Sequence, residues 1–305
     1  MIPKNLITNT ALEIGFDIVG VVPAMPLEEE AQRFGEWLQR GHHSTLSYLE
    51  RNGEKRFDAS KLVEGARSVV VCGVAYLSEY SRGYPEGWRT KIASYALNRD
   101  YHLTIKEMLV ALAERLKEYA PGLRFRAFTD SAPLAEKSYA QRAGLGWIGR
   151  NSLLVTPEYG SMLLLGELVI NEMVDEYDVP KEFVGCGECR RCVDACPNGA
   201  IFENRTINTR RCISCRTIEP MAEGDNIDLD GWIFGCDACQ SVCPYNQRAK
   251  FHRNPNFDPI INPLALDAEA WLSMTEEEFS ALATTTPMTR AGLERIRGNV
   301  EREKV

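Results

Sequence analysis

Apolar positions recur at helical spacing through residues 1–15 and again across LEEEAQRFGEWLQRG, where Gly41 marks the stop. Between them FDIVGVV, residues 16–22, reads as a strand, and SVVVCGVAY, residues 68–76, as a buried one, β-branched and continuous. Cys72 lies inside that run and reads as a small core residue. Over residues 101–119, Ile105, Met108, Leu109, Leu112, Leu116 and Tyr119 line one helix face, with Asp100 placed as N-cap and Pro121-Gly122 ending the helix. RFRAFTD, residues 124–130, predicts a strand, and PLAEKSYAQRAG a helix starting on Pro133. SLLVTPEYGSMLLLGELVI then predicts two strands joined at Pro157 to Gly160. Helices and strands alternate in this way to about residue 178, the pattern of an α/β domain.

Beyond that point cysteine takes over. Nine of the ten cysteines fall between Cys186 and Cys243. CGECRRCVDACP supplies Cys186, Cys189, Cys192 and Cys196 before Pro197, a run in which three thiolates hold one 4Fe–4S cube and the fourth ligates another. GCDACQSVCP repeats the last three ligands as Cys236, Cys239 and Cys243 before Pro244, but Ile233 stands where the first would be. Crossing the halves assigns Cys186, Cys189, Cys192 and Cys243 to one cluster. Cys196, Cys236, Cys239 and either Cys212 or Cys215 go to the second. Structural zinc also takes paired C-x-x-C, yet rarely with the four-cysteine run ending in Cys-Pro. Disulfides call for an export signal.

The N-terminus has no apolar run of signal-peptide length and no twin arginine, and nowhere do eighteen apolar residues run together. A cytoplasmic protein is expected. The chain has 305 residues and a net charge of −8, which argues against a whole-surface grip on nucleic acid. Charge is nonetheless patterned. Arg205, Arg210, Arg211 and Arg216 form one run without an acid, Arg248, Lys250 and Arg253 another, and five acids lie between them over residues 219–230. Such blocks are usually solvated faces, but these two flank the cysteine module and could follow a phosphate backbone.

Two motifs are set aside. Gly144, Gly146 and Gly149 make a literal G-x-G-x-x-G, but with a helix before and a strand after, the reverse of a dinucleotide site. Asn226, Asp228, Asp230, Gly231 and Asp237 resemble a calcium loop without the glutamate at its twelfth position. Asp130 is the candidate acid. It ends a strand in FTDSAP, where open α/β sheets place ligands, and its apolar neighbours Phe128, Ala132 and Pro133 predict a raised pKa suited to a proton donor. The competing reading is a helix N-cap ahead of Pro133.

The chain resembles the cobalamin-dependent epoxyqueuosine reductases. The resemblance is carried by KRFDASKLVEGARSVVV (55–71), RDYH (99–102), TDSAPLAEKSYAQRAGLGWIGRNSLLVTPEYGSMLLLGE (129–167), CGECRRCVDACPNGAI, RRCIS, TIEP (217–220) and FGCDACQSVCPYN (234–246). It implies a nitroreductase-like α/β cobalamin- and substrate-binding domain over 1–178, a ferredoxin-like double 4Fe–4S domain over 179–250 and a helical tail over 251–305. It also implies reduction of epoxyqueuosine to queuosine at the tRNA wobble position. Electrons would pass from a low-potential donor such as flavodoxin or ferredoxin through two 4Fe–4S clusters to cobalamin, with Asp130 as proton donor. By position, Cys212 becomes the fourth ligand of the second cluster and Cys215 is spare. Arg56, the segment from Leu154 through Pro157 to Leu165, and the backbone at Asp237 and Ala238 look like cobalamin-facing parts. Longer relatives carry a C-terminal helical-repeat extension, so here the two basic runs would take more of the tRNA grip. A monomer without membrane contact is expected. The rivals are a reductive dehalogenase-like cobalamin enzyme and a non-catalytic iron–sulfur electron carrier.

Overall fold

The computed structural model describes residues 1–220 and 226–303. Helix α1 (Lys4–Ile14) leads into strand β1 (Ile18–Pro23), followed by α2 (Glu28–Gln39) and the single turn α3 (Gly53–Arg56). Next come β2 (Ser68–Ala75), the short β3 (Lys91–Ile92), α4 (Tyr101–Tyr119) and β4 (Phe125–Phe128). Helix α5 (Glu136–Arg142), the hairpin of β5 (Trp147–Ile148) and β6 (Leu154–Val155), and β7 (Leu163–Ile170) complete this part. The main sheet has the order β1-β2-β7-β4, and every neighbouring pair is antiparallel.

Strand β2 is buried at all eight positions because both faces of the sheet are covered. Val70, Cys72 and Val74 join Leu168 and Ile170 beneath α1 and α4. The alternate positions Val69, Val71, Leu165 and Val169 pack under α5 with Leu134, Tyr139 and Ala140. The period of two along a continuous apolar run thus feeds two cores at once. Cys72 is one of these core residues, fully buried as its apolar context requires.

Two expectations need correction. The helix read from Pro133 begins at Glu136, with Ala135 at its N-cap position; residues 130–135 form a loop, and Asp130 caps nothing. The sheet is antiparallel, so the rule that places ligands at the carboxyl ends of parallel strands does not apply to it. Asp130 earns its place from other contacts, described below.

The cysteine region contributes α6 (Arg191–Asp194), α7 (Ile213–Ile218), β8 (Trp232–Phe234), α8 (Ala238–Ser241) and α9 (Pro244–Gln247). The tail adds α10 (Ala268–Ser273), α11 (Glu276–Ala283) and α12 (Gly292–Arg302). A further core crosses all these stretches: Ile92 and Leu97 from the first, Ile233 and Phe234 from the second, and Trp271, Phe279, Ile296 and Val300 from the tail. Strand β3 lies outside the main sheet and pairs in parallel with β8. Asn299 of α12 ties this core further by donating to the carbonyls of Thr217 and Ile233, at 3.0 and 2.9 Å.

The glycine-rich stretch behaves as tight turns. Gly144 follows α5 with φ +64°, and a β-carbon on Gly146 would lie 2.2 Å from the Val155 carbonyl oxygen. Part of the acidic stretch, residues 221–225, lies outside the described residues. Asp237 of the calcium-like loop is a buried acceptor for the Ser94 N–H at 2.7 Å rather than a ligand in an open loop. Among the described residues, no helix is long and apolar enough to cross a membrane.

Candidate active site and cluster ligands

The N-terminus of α4 builds one wall. Asp100 caps the helix by accepting the His102 N–H at 3.0 Å, and the same carboxylate oxygen lies 2.7 Å from His102 Nδ1. Tyr101 and His102 stack with ring centroids 4.0 Å apart. Both reach Asp130: Tyr101 Oη donates to Oδ2 at 2.7 Å, and His102 Nε2 lies 3.4 Å from that oxygen. Asp130 takes a left-handed backbone, φ +50°, and its N–H donates to Glu136 Oε1 at 2.6 Å.

This corrects the expected electrostatics. The hydrogen bond from His102 holds the Asp130 carboxyl below its ordinary pKa; Tyr101 and Arg290 add to this, and partial desolvation does not overcome it. The apolar neighbours matter less than these polar partners. His102 moves the other way. Burial lowers its pKa, but hydrogen bonds and charge from Asp100 and Asp130 win and raise it to about 9. At neutral pH the proton therefore sits on His102, between two carboxylates.

Asp130 is 63% exposed at its side chain, yet surrounding protein still desolvates it. Lys137 combines surface exposure with a pKa lowered by burial, and its Nζ donates to the Ser152 carbonyl at 2.7 Å. Arg56 belongs to the same wall, since its carbonyl accepts the Ala135 N–H at 2.8 Å. Its guanidinium lies over Phe34, burial lowers its pKa, and Nε has no partner among the described residues. The Leu165 carbonyl accepts from Thr129 Oγ1 at 2.8 Å, which pins the residue before Asp130. Leu154 and Leu165 are buried in the core under α5, and Pro157 is exposed on the turn after β6.

The opposite wall carries Asp237 and Ala238, at the start of α8. Asp237 is buried; that burial raises its pKa despite bonds from Ser94 and Gln240. Burial raises the Tyr95 pKa, and the charges of both Asp130 and Asp237 add to it. A polar network fastens the two walls: Ser161 Oγ donates to Gln240 Oε1 at 2.9 Å, and the Ser161 N–H to Asn246 Oδ1 at 2.6 Å.

The nine clustered cysteines are half-buried, and among the described residues none is paired in a disulfide. Burial raises the Cys192 thiol, with Cys186 and Cys243 the thiols acting on it. Burial likewise raises Cys236, which senses Cys212 and Cys196. Cys239 senses Cys236, Cys212 and also Cys192. The two halves are thus interleaved, with Cys243 beside the first group and Cys196 within the second, and the groups adjoin at Cys192 and Cys239. Cys189 closes the first turn through its N–H to the Cys186 carbonyl, 2.9 Å. Cys215 adjoins Cys212, and its own sulfur accepts from Arg216 Nη2 at 3.1 Å. The donor set suits iron–sulfur cubes. The Ala200 N–H reaches Cys196 Sγ at 3.2 Å, the kind of bond that tunes a cluster sulfur.

Residues 185–246 match the family described as 4Fe-4S double cluster binding domain, a span that contains all nine clustered cysteines. Residues 56–131 match the family described as Epoxyqueuosine reductase QueG, DUF1730. An epoxyqueuosine reductase of Cyclobacterium marinum is 39% identical over 300 residues, covering 97% of this chain and 95% of that one. The chain belongs to the epoxyqueuosine reductase family. It is an iron–sulfur oxidoreductase. An epoxyqueuosine reductase solved with an epoxyqueuosine-modified tRNA-Tyr stem loop superposes with a TM-score of 0.87 at 29% identity, over 98% of this chain and 80% of that one. The Bacillus subtilis epoxyqueuosine reductase, solved with its aspartate catalytic loop swung out of the active site, matches equally, at 0.87 and 29% over the same shares. A reductive dehalogenase shares the fold alone, at a TM-score of 0.51 and 16% identity over 98% of this chain and 35% of that one.

The sequence reading gave no role to Tyr101 and His102, although RDYH was among the resembling segments. It missed Glu136 and Glu167 altogether. A glutamate inside the apolar run LLLGELVI was the available signal.

Proposed function

We propose that this chain reduces epoxyqueuosine to queuosine in tRNA, with cobalamin held between the Asp130 wall and the α8 wall. The observation that carries the reading is the Asp100–His102–Asp130 array, in a chain whose residues 185–246 match a double 4Fe-4S cluster domain. Cysteines 186, 189, 192 and 243 would hold one 4Fe–4S cluster, and Cys196, Cys212, Cys236 and Cys239 the other. Arg56, the segment from Leu154 to Leu165, and the start of α8 would hold cobalamin. When bound, that group supplies low-potential electrons at carbon, a task no protein side chain performs.

Opening the epoxide and losing its oxygen as water takes two electrons and two protons. His102 Nε2 gives its proton to Asp130 Oδ2, and Asp130 relays it to the departing oxygen. Asp100 keeps the His102 ring oriented and favours its charged form. The second proton reaches the same exposed carboxylate from solvent. Tyr101 fixes the carboxylate that both transfers use. The tRNA substrate, a low-potential flavodoxin or ferredoxin as donor, a monomeric state and a cytoplasmic setting belong to this reading. An anaerobic assay with cobalamin and a low-potential reductant, following tRNA nucleosides by mass, tests it. Asp130→Asn should retain iron and cobalamin while turnover falls about 10²–10⁴-fold. Undiminished turnover removes Asp130 from the chemistry, and turnover of a haloorganic in place of the modified tRNA would favour the dehalogenase-like reading.

A further inference from the structure

Glu167 stands in the middle of β7, opposite Val71 of β2 and Phe128 of β4, and is fully buried. Its neighbours on the same face, Leu165 and Val169, belong to the apolar layer beneath α5. A carboxyl group therefore occupies a position where strand alternation calls for a hydrophobe. Ionised, it would need a cation or several donors. Among the described residues neither oxygen has a donor within hydrogen-bond distance. The groups facing it are Glu136 on α5, Asp130 in the loop, Cys72 on β2 and Tyr139 on α5, none of them cationic. Glu167 thus remains a neutral acid; burial and then Glu136 raise its pKa well above the carboxylate range.

Glu136 opens α5. Burial raises its pKa as well, and the Asp130 charge adds to this, while the Asp130 N–H, Glu167 and Lys137 oppose it. Tyr101 is the remaining titratable group that senses it. Glu136 Oε1 is the acceptor for the Asp130 N–H, the contact that holds this residue at φ +50°. A non-glycine residue keeps that conformation only where its surroundings impose it.

We propose that Glu167 and Glu136 share one proton and together latch the Asp130 loop inward, as positioning residues for the acid. The inference rests on the proton-donor reading of Asp130. Neutral Glu167 offers its proton to Glu136, and Glu136 can then remain an acceptor beside the Asp130 carboxylate. Lose either glutamate and the loop is free to leave Tyr101 and His102.

The test uses the reconstituted holoenzyme with intact clusters and cobalamin. Amide exchange is followed by mass spectrometry, beside steady-state kinetics on an epoxyqueuosine stem-loop RNA. Glu167→Gln keeps an N–H donor and should hold loop protection over residues 126–135 and kcat within about three-fold of the parent. Glu167→Leu and Glu136→Leu should each lower loop protection and kcat about ten-fold or more, with KM for the RNA little changed and α4 exchanging as before. Unchanged loop protection in both leucine variants overturns the latch. Equal losses in the Gln and Leu variants, or loss of protection across the whole sheet, do the same. Should Glu167→Leu fail to fold, Glu136→Leu carries the test, since that residue lies at a helix start rather than in the sheet. The exchange readout holds whatever Asp130→Asn does to turnover, so failure of the acid and failure of the latch are told apart.

Discussion

His102 is where pH should be felt first. Its folded pKa is raised to about 9 from 6.5, so the stabilisation it brings is complete below about pH 6.5 and is lost as pH rises through 9. The difference in melting temperature between the parent and His102→Gln should therefore shrink steadily over that window; a constant difference would refute the charged imidazole. An alkaline fall in kcat near the same pH should vanish in the variant, because the ring that gives Asp130 its proton is gone. Cys215 makes a separate prediction. Its sulfur is bonded by Arg216, and Cys212, not Cys215, is among the thiols acting on Cys236. Cys215→Ala should keep the full iron content of both clusters, and loss of about half the iron would reassign the ligand. Single residues were only partly legible in the sequence. The cysteine-rich double-cluster span announces itself by spacing, because a cube demands a short turning backbone. The ionisation of Asp130 does not, since Tyr101 and His102 reach it from about 30 positions away in the chain.

Elements were legible where burial runs along one strand or one helix face. Tyr101–Tyr119 and its Asp100 cap were read to the residue because the apolar stripe and the cap are local features. The start of α5 was misplaced because Pro133 suits a first helical turn equally well in a loop. Strand direction was also invisible, since alternating helices and strands are compatible with an antiparallel sheet covered on both faces. Between elements, the contact of the turn after β6 with α9 is unusually close. A β-carbon on Gly160 would lie 2.0 Å from Asn246 Oδ1, and the residue has φ +59°. Gly160→Ala should cost about 2 kcal/mol or more, read by denaturant unfolding, because both the contact and the backbone oppose a side chain. A loss below about 0.5 kcal/mol would show that the two parts are not docked this tightly.

For the whole molecule, the proposed RNA grip draws on fewer basic residues than the two charge runs contain. Arg216 is fully buried, Arg205 donates to the Ile148 carbonyl, and Lys250 and Arg253 pair with Glu158 and Asp17. Arg210 and Arg211 remain exposed at the surface of the first run. Replacing both with Ser should weaken RNA binding and lower the slope of log K against log salt by about one to two. Parallel slopes would move the RNA to another face. The strand β3 has a consequence of its own. Because residues 91–92 are stitched beside residues 232–234, the iron-bearing portion is not a detachable cartridge. A gene cut near codon 178 would strand one rung of a ladder in each fragment, and neither half should mature alone. Evolution, or an engineer, would have to swap electron relay and reaction chamber as a single casting.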